Sequence, residues 1–82
     1  MIGEQVLTLY QRYGCSLCDD MQQALYPLQR ELGFSVHPVD VETDPLLEQR
    51  YGERVPVLAS PQGELCHYFL DEEAVRRYFA AP

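Results

Sequence analysis

Apolar and polar positions along the 82-residue chain follow two spacings, one typical of strands and one typical of helices. Residues 5–10 are mainly strand formers and soon give way to Gly14, which predicts a buried strand at the centre of a sheet. Between Cys18 and Leu32 the apolar residues recur every three or four positions and form one helical stripe, which Gly33 ends. Pro27 lies within this helix and is expected to bend it without ending it.

A second strand and a short helix follow in the middle of the chain. Residues 34–41 alternate as a strand does, and they include Pro38. Because proline cannot donate a hydrogen bond to a neighbouring strand, we expect this strand at an edge of the sheet. Asp44 is a capping residue followed by Pro45, a favoured first residue of a helix, and Gly52 ends the pattern about two turns later.

The last third of the chain predicts a hairpin and a final helix. Residues 56–59 and 64–69 have strand composition, and the proline and glycine in residues 60–63 suit a tight turn between them. Asp71 is placed to cap a helix whose buried face carries apolar residues up to Phe79. The order is therefore β-α-β-α-β-β-α, which predicts one α/β domain over residues 1–82, with a four-stranded mixed sheet flanked by helices on both faces.

Composition and charge limit the kinds of partner that we expect the protein to bind. Thirteen acidic residues against six arginines give a net charge of −7, which argues against nucleic acid or an anionic membrane as a partner. No apolar stretch approaches the length of about 18–20 residues that spans a bilayer, and residues 1–4 lack the basic and apolar regions of a signal peptide. We therefore expect a cytoplasmic monomer. In that reducing compartment a pair of nearby cysteines is more often catalytic or metal-binding than structural.

The candidate chemistry lies at Cys15 and Cys18, where the first strand gives way to the first helix. Two cysteines three positions apart can close a small disulfide ring with little movement. A helix N-terminus stabilises a thiolate, and thiols in such places commonly have a pKa of about 3.5–7.5 rather than about 8.5. We expect thiol-disulfide exchange, in which Cys15 attacks a substrate disulfide and Cys18, from a more buried position, resolves the mixed disulfide.

A structural zinc site is the alternative interpretation of the same pair, since Cys-x-x-Cys also holds zinc. The further ligands that the chain offers are His37, Cys66 and His67. Cys66 and His67 are adjacent, so a strand would direct their side chains to opposite faces of the sheet. The preferred interpretation has no metal site and treats Cys66 as a small buried apolar residue.

Two segments resemble glutaredoxins within the thioredoxin fold. Residues 12–18, Arg-Tyr-Gly-Cys-Ser-Leu-Cys, are similar to the basic residue, glycine and Cys-x-x-Cys of that group. Val55-Pro56 is similar to the segment whose proline is cis and faces the disulfide. The site, with its following Asp19, resembles most closely the Cys-x-Leu-Cys-Asp site of small bacterial glutaredoxin-like proteins. The resemblance implies a thioredoxin-like fold and the activity of a thiol-disulfide oxidoreductase.

The resemblance also implies which residues bind the substrate and which kinds of partner the protein has. The substrate-binding residues would be Arg12, Val55, Pro56 and Asp71. The substrates would be protein or small-molecule disulfides, with glutathione or a reductase as electron donor and no bound cofactor. Residues 68–71 stand where glutaredoxins usually have a Gly-Gly pair that helps to seat glutathione, which weighs against a glutathione site. A non-catalytic thioredoxin-fold module that binds a partner protein or delivers a redox signal is the alternative function.

Overall fold

The computed structural model describes residues 5–80. Four strands and three α-helices follow one another in the predicted order, so the predicted β-α-β-α-β-β-α fold is confirmed. The elements are β1 (Val6–Gln11), α1 (Ser16–Leu32), β2 (Ser35–Asp40), α2 (Pro45–Tyr51), β3 (Val57–Ser60), β4 (Gly63–His67) and α3 (Glu72–Ala80). A short 3₁₀ helix, Val41–Thr43, joins β2 to α2 and was not expected from the sequence.

The strand order in the sheet is β2-β1-β3-β4, so β1 is internal and β2 lies at an edge, as predicted. β1 pairs in parallel with β2 and antiparallel with β3, and β3 pairs antiparallel with β4. The sheet is therefore mixed. Pro38, whose missing N–H would interrupt an internal strand, lies in the edge strand opposite Leu9.

Helices cover both faces of the sheet. Leu7 and Leu9 of β1 are fully buried in a core cluster that also contains Leu25 of α1 and Val75 of α3. Side chains alternate along a strand, so Tyr10 points to the opposite face. There its ring stacks on that of Tyr51 in α2, with 4.1 Å between centroids. The core that holds α1 in place thus lies on one face, and α2 packs on the other.

The buried stripe of α1 matches the predicted spacing, with Cys18, Met21, Leu25 and Leu28 buried. Gly33 ends the helix in the left-handed conformation, with φ at 77°. The helix continues through Pro27, whose side chain is exposed, while the bend expected there stays a prediction. Among the described residues, no helix is both long and apolar enough to cross a membrane.

The end of β4 differs from the prediction. The sequence suggested a strand over 64–69, whereas β4 ends at His67. Tyr68 has a φ of 65°, in the left-handed region, which interrupts the extended strand. Asp71 then caps α3 as predicted, since its carboxylate accepts a hydrogen bond of 3.0 Å from the backbone N–H of Ala74.

Candidate redox site

The candidate site is built where the chain leaves β1 and enters α1. Gly14 has a φ of 77°, a conformation that glycine adopts without steric cost, and a side chain there would meet no neighbouring atom within 4 Å. The backbone conformation, rather than lack of space, therefore favours glycine at this turn. Cys15 follows in an extended conformation as the N-cap of α1. The turn thus places the first cysteine directly before the unpaired N–H groups of the helix.

Cys15 and Cys18 form a disulfide across the first turn of α1, with their Cα atoms 5.2 Å apart. The two sulfurs lie in different environments. Cys18 is 1 % exposed and belongs to the buried face of α1, whereas Cys15 is partly exposed. The backbone N–H of Cys18 donates a 3.1 Å hydrogen bond to Sγ of Cys15. An incoming group can therefore reach Cys15 more readily than Cys18.

The charges around the pair come from the helix and from its first residues. The positive end of the α1 dipole and the N–H of Cys18 both favour negative charge on the Cys15 sulfur. The carboxylate of Asp19, in the first turn, opposes that charge. The thiolate of Cys15 is thus favoured mainly by backbone groups.

Arg12 belongs to the predicted substrate-binding residues. Its guanidinium donates to Glu42 at 2.9 Å and to the carbonyl of Gly52 at 2.7 Å, and it lies 3.0 Å from the carboxylate of Glu48. Hydrogen bonds with Glu48 and Glu42 raise the pKa of Arg12 above its usual value. Arg12 therefore ties the turn before Cys15 to the 3₁₀ helix and α2. The predicted contact between Arg12 and a substrate stays a prediction.

Val55 and Pro56 precede β3, and the peptide bond between them is cis, as the resemblance implied. Tyr10, near the end of β1, is opposite Val57, the first residue of β3. Val55 and Pro56 therefore lie at the same end of the sheet as the turn that leads from β1 to Cys15. Pro56 is fully buried, and Val55 is partly buried. Within residues 5–80, no hydrogen bond involves the backbone N–H or carbonyl of Val55. These two groups are available to a partner.

Asp71 follows β4 at the same end of the sheet, because His67 is opposite Val57. Its observed contacts are local. The carboxylate caps α3, and the carbonyl of Asp71 accepts a 3.3 Å hydrogen bond from the backbone N–H of Val75. These contacts explain why an aspartate suits the start of α3. The predicted contact between Asp71 and a substrate stays a prediction.

A cluster of contacts around residues 53–56 was not predicted from the sequence. Arg54 binds the carboxylate of Glu64 on β4, and that carboxylate also contacts His67. The Tyr68 hydroxyl donates to the carbonyl of Glu53 at 2.9 Å. Arg54 and Glu64 are 10 residues apart in the chain, and Tyr68 and Glu53 are 15 residues apart, so no local spacing indicates either contact. The left-handed conformation of Tyr68 could not be predicted either, because glycine or asparagine is the usual residue in that conformation.

The alternative zinc site needs further ligands close to Cys15 and Cys18. Within the part of the chain that the structure describes, no three His, Cys, Asp or Glu side chains are grouped so that they could hold a metal ion. Cys66 is a free thiol that packs against the core, as expected of an apolar residue, but it is partly buried rather than buried.

Cys66 is expected to react slowly with alkylating reagents. Burial raises the pKa of the Cys66 thiol above its usual value, so its thiolate fraction is lower than that of a free cysteine at any pH below that pKa. After reduction, iodoacetamide at pH 7 should label Cys15 well before Cys66, as followed by peptide mass mapping. Labelling of Cys66 should become appreciable only at alkaline pH. Equal labelling rates at pH 7 would contradict the assignment of Cys66 as a shielded thiol.

Comparison with known proteins supports the glutaredoxin-like family that the resemblance implied. The model of a glutaredoxin-like domain (DUF836) matches residues 6–80. An uncharacterized protein from Mycobacterium tuberculosis is 32% identical over 73 residues, a match that covers 83% of this chain and 75% of that protein. The solution structure of protein Ne2328 from Nitrosomonas europaea is 35% identical with a TM-score of 0.85, covering 95% of this chain and 94% of the other.

A more distant match shows the fold alone. Thioredoxin 1 from Thermosipho africanus TCF52B is 15% identical, with a TM-score of 0.62, and the match covers 92% of this chain and 94% of that chain. At that identity the likeness concerns the arrangement of strands and helices. The thioredoxin-like fold that the sequence predicted is confirmed.

Proposed function

Since the chain belongs to the glutaredoxin-like domain family, we propose that it is a thiol-disulfide oxidoreductase in which Cys15 is the nucleophile and Cys18 the resolving cysteine. One observation carries this assignment. The pair bridges the first turn of α1 with Cys15 partly exposed and Cys18 buried, so the two sulfurs differ in access. The N–H of Cys18, which donates to Sγ of Cys15, supports a thiolate at that position.

The proposed reaction transfers two electrons from the reduced pair to a substrate disulfide. The Cys15 thiolate attacks one sulfur of the substrate, forming a mixed disulfide and releasing the other sulfur as a thiolate that takes up a proton. The Cys18 thiol then loses its proton and attacks Sγ of Cys15. This second step breaks the mixed disulfide, closes the Cys15–Cys18 disulfide and releases the second substrate thiol.

Substrate docking is assigned to the segment before β3. The N–H and carbonyl of Val55, which have no hydrogen-bond partner within residues 5–80, offer one donor and one acceptor to an extended chain next to the disulfide, as strand pairing does. Pro56 fixes the segment from its buried position, while Arg12 and Asp71 complete the proposed substrate-binding set at the same end of the sheet. The substrates in this proposal are protein or small-molecule disulfides.

The oxidised pair needs two electrons from outside to return to the dithiol. In this proposal the electron donor is glutathione or a reductase. We place the protein in the cytoplasm, where thiols are kept reduced, and expect it to act as a monomer without a bound cofactor. The net charge of −7 agrees with a role away from nucleic acids and anionic membranes.

The Cys18→Ser variant tests the proposed order of the two steps. It keeps the Cys15 nucleophile but removes the resolving thiol, so it should accumulate the mixed disulfide. The reduced variant is mixed with a peptide disulfide, quenched with acid and examined by intact mass and peptide mapping. The expected product is one peptide bound to Cys15. A Cys15→Ser variant that traps the peptide equally well on Cys18 would contradict the assignment, and trapping by neither variant would favour the non-catalytic binding module.

A further inference from the structure

Tyr68 is held in an unfavourable backbone conformation directly after β4. Its φ of 65° makes it the one residue other than glycine within 5–80 that has a positive φ. Residues other than glycine, asparagine and aspartate rarely adopt this backbone conformation, because the Cβ atom crowds the backbone. A tyrosine in this conformation therefore needs contacts that compensate for it.

Those contacts reach both sides of Val55. The backbone N–H of Tyr68 donates to the carbonyl of Pro56 at 2.9 Å, immediately after Val55. The Tyr68 hydroxyl donates to the carbonyl of Glu53 at 2.9 Å, two residues before it. Tyr68 thus binds the segment on either side of Val55, whose N–H and carbonyl have no partner among the described residues.

Neighbouring contacts hold the rest of the segment. The N–H of Arg54 donates to the carbonyl of Tyr51 at 2.8 Å, and the Arg54 guanidinium binds the carboxylate of Glu64. The ring of Tyr68 lies edge-on to that of His67, which in turn contacts Glu64. These contacts come from β4 and α2, so the segment is fixed to regular structure rather than left as a free loop.

We propose that Tyr68 is a positioning residue, which fixes residues 53–56 so that the Val55 backbone can pair with the extended chain of a peptide disulfide. This inference rests on the proposed function and specifies its substrate class. An extended peptide depends on the position of the Val55 N–H and carbonyl, whereas a small disulfide needs access to Cys15 alone. Tyr68 therefore contributes to the preference for peptide over small-molecule disulfides.

The Tyr68→Phe variant tests the proposal, because it removes only the hydroxyl that binds Glu53. Pre-reduced protein is mixed with increasing amounts of a synthetic peptide that carries one disulfide, or with bis(2-hydroxyethyl) disulfide. Single-turnover formation of the Cys15–Cys18 disulfide is measured by acid quench and mass spectrometry. The half-saturating peptide concentration should rise about 3–10-fold, the range expected for one lost hydrogen bond, while the limiting rate changes less than about twofold. The ratio of peptide to small-disulfide rates should fall by the same factor.

Two further variants keep the test decisive. Tyr68→Gly removes the side chain but accepts a φ of 65°, and it should lower the rate ratio at least as much. Tyr26→Phe, in which an exposed tyrosine of α1 loses its hydroxyl, should leave the ratio unchanged. An unchanged ratio in both Tyr68 variants, or an equal loss with both substrates, would overturn the positioning role and leave the oxidoreductase intact. Failure of the unaltered protein to react with either disulfide would instead overturn the proposed function itself.

Discussion

Replacing Cys15 with serine is expected to lower the rate of disulfide reduction by at least about 10³-fold, as the loss of a nucleophile does in other covalent catalysts. A serine hydroxyl is a far weaker nucleophile than a thiolate and cannot form a disulfide with the substrate. Cys18 cannot substitute efficiently, since it is 1 % exposed on the core side of α1. The rate is measured with reduced protein and a peptide disulfide under single-turnover conditions.

The matched control is Cys66→Ser, which makes the same chemical change at a partly buried thiol outside the pair. This variant should retain the rate of the unaltered protein within about twofold, provided that circular dichroism shows the same fold. If Cys15→Ser kept more than a few per cent of the rate, Cys15 could not be the nucleophile. If Cys66→Ser lost the rate as fully, the third cysteine would have to be part of the reaction.

The second large effect concerns the packing that holds the site. Leu25→Ala should lower the free energy of unfolding by about 2–5 kcal/mol, because Leu25 is fully buried between α1 and the sheet and its truncation leaves a cavity. A chain of this length has a total stability of about 4–12 kcal/mol, so the expected loss is a large share of the total. Urea denaturation followed by circular dichroism measures the change.

Gln23→Ala is the control in the same helix, since its side chain is exposed and the helix accepts alanine well. The expected change is within about 0.5 kcal/mol. A loss of less than about 1 kcal/mol in Leu25→Ala would be outside the range for a buried leucine and would contradict the packing of α1 described above.

The order of the elements could be predicted because local patterns determine it. The stripe of α1, the Asp44–Pro45 start of α2 and the Pro-Gly turn between β3 and β4 all depend on neighbours close in sequence. The edge position of β2 followed from one residue, Pro38, which cannot take part fully in an internal ladder. These features require no knowledge of contacts across the fold.

The cysteine pair could likewise be predicted from its spacing and its place before a helix. The cis bond before Pro56 could not be derived from pattern, because only the resemblance to glutaredoxins implied it. The partners of Arg12 lie 30 to 40 residues away in the chain. The hydroxyl of Tyr68 binds the carbonyl of Glu53, which is 15 residues away. Such contacts arise from the tertiary fold, and no local spacing indicates them.

A redox titration tests whether Cys15 and Cys18 work as a redox pair. The protein is equilibrated through a series of glutathione ratios and quenched, and its intact mass is measured, with peptide mapping at each end of the series. We predict one two-electron transition, assigned to Cys15 and Cys18, at about −200 to −300 mV, the range in which cytosolic exchange proteins work. A pair that stayed reduced throughout, or a protein that held zinc until a chelator removed it, would contradict the proposed oxidoreductase.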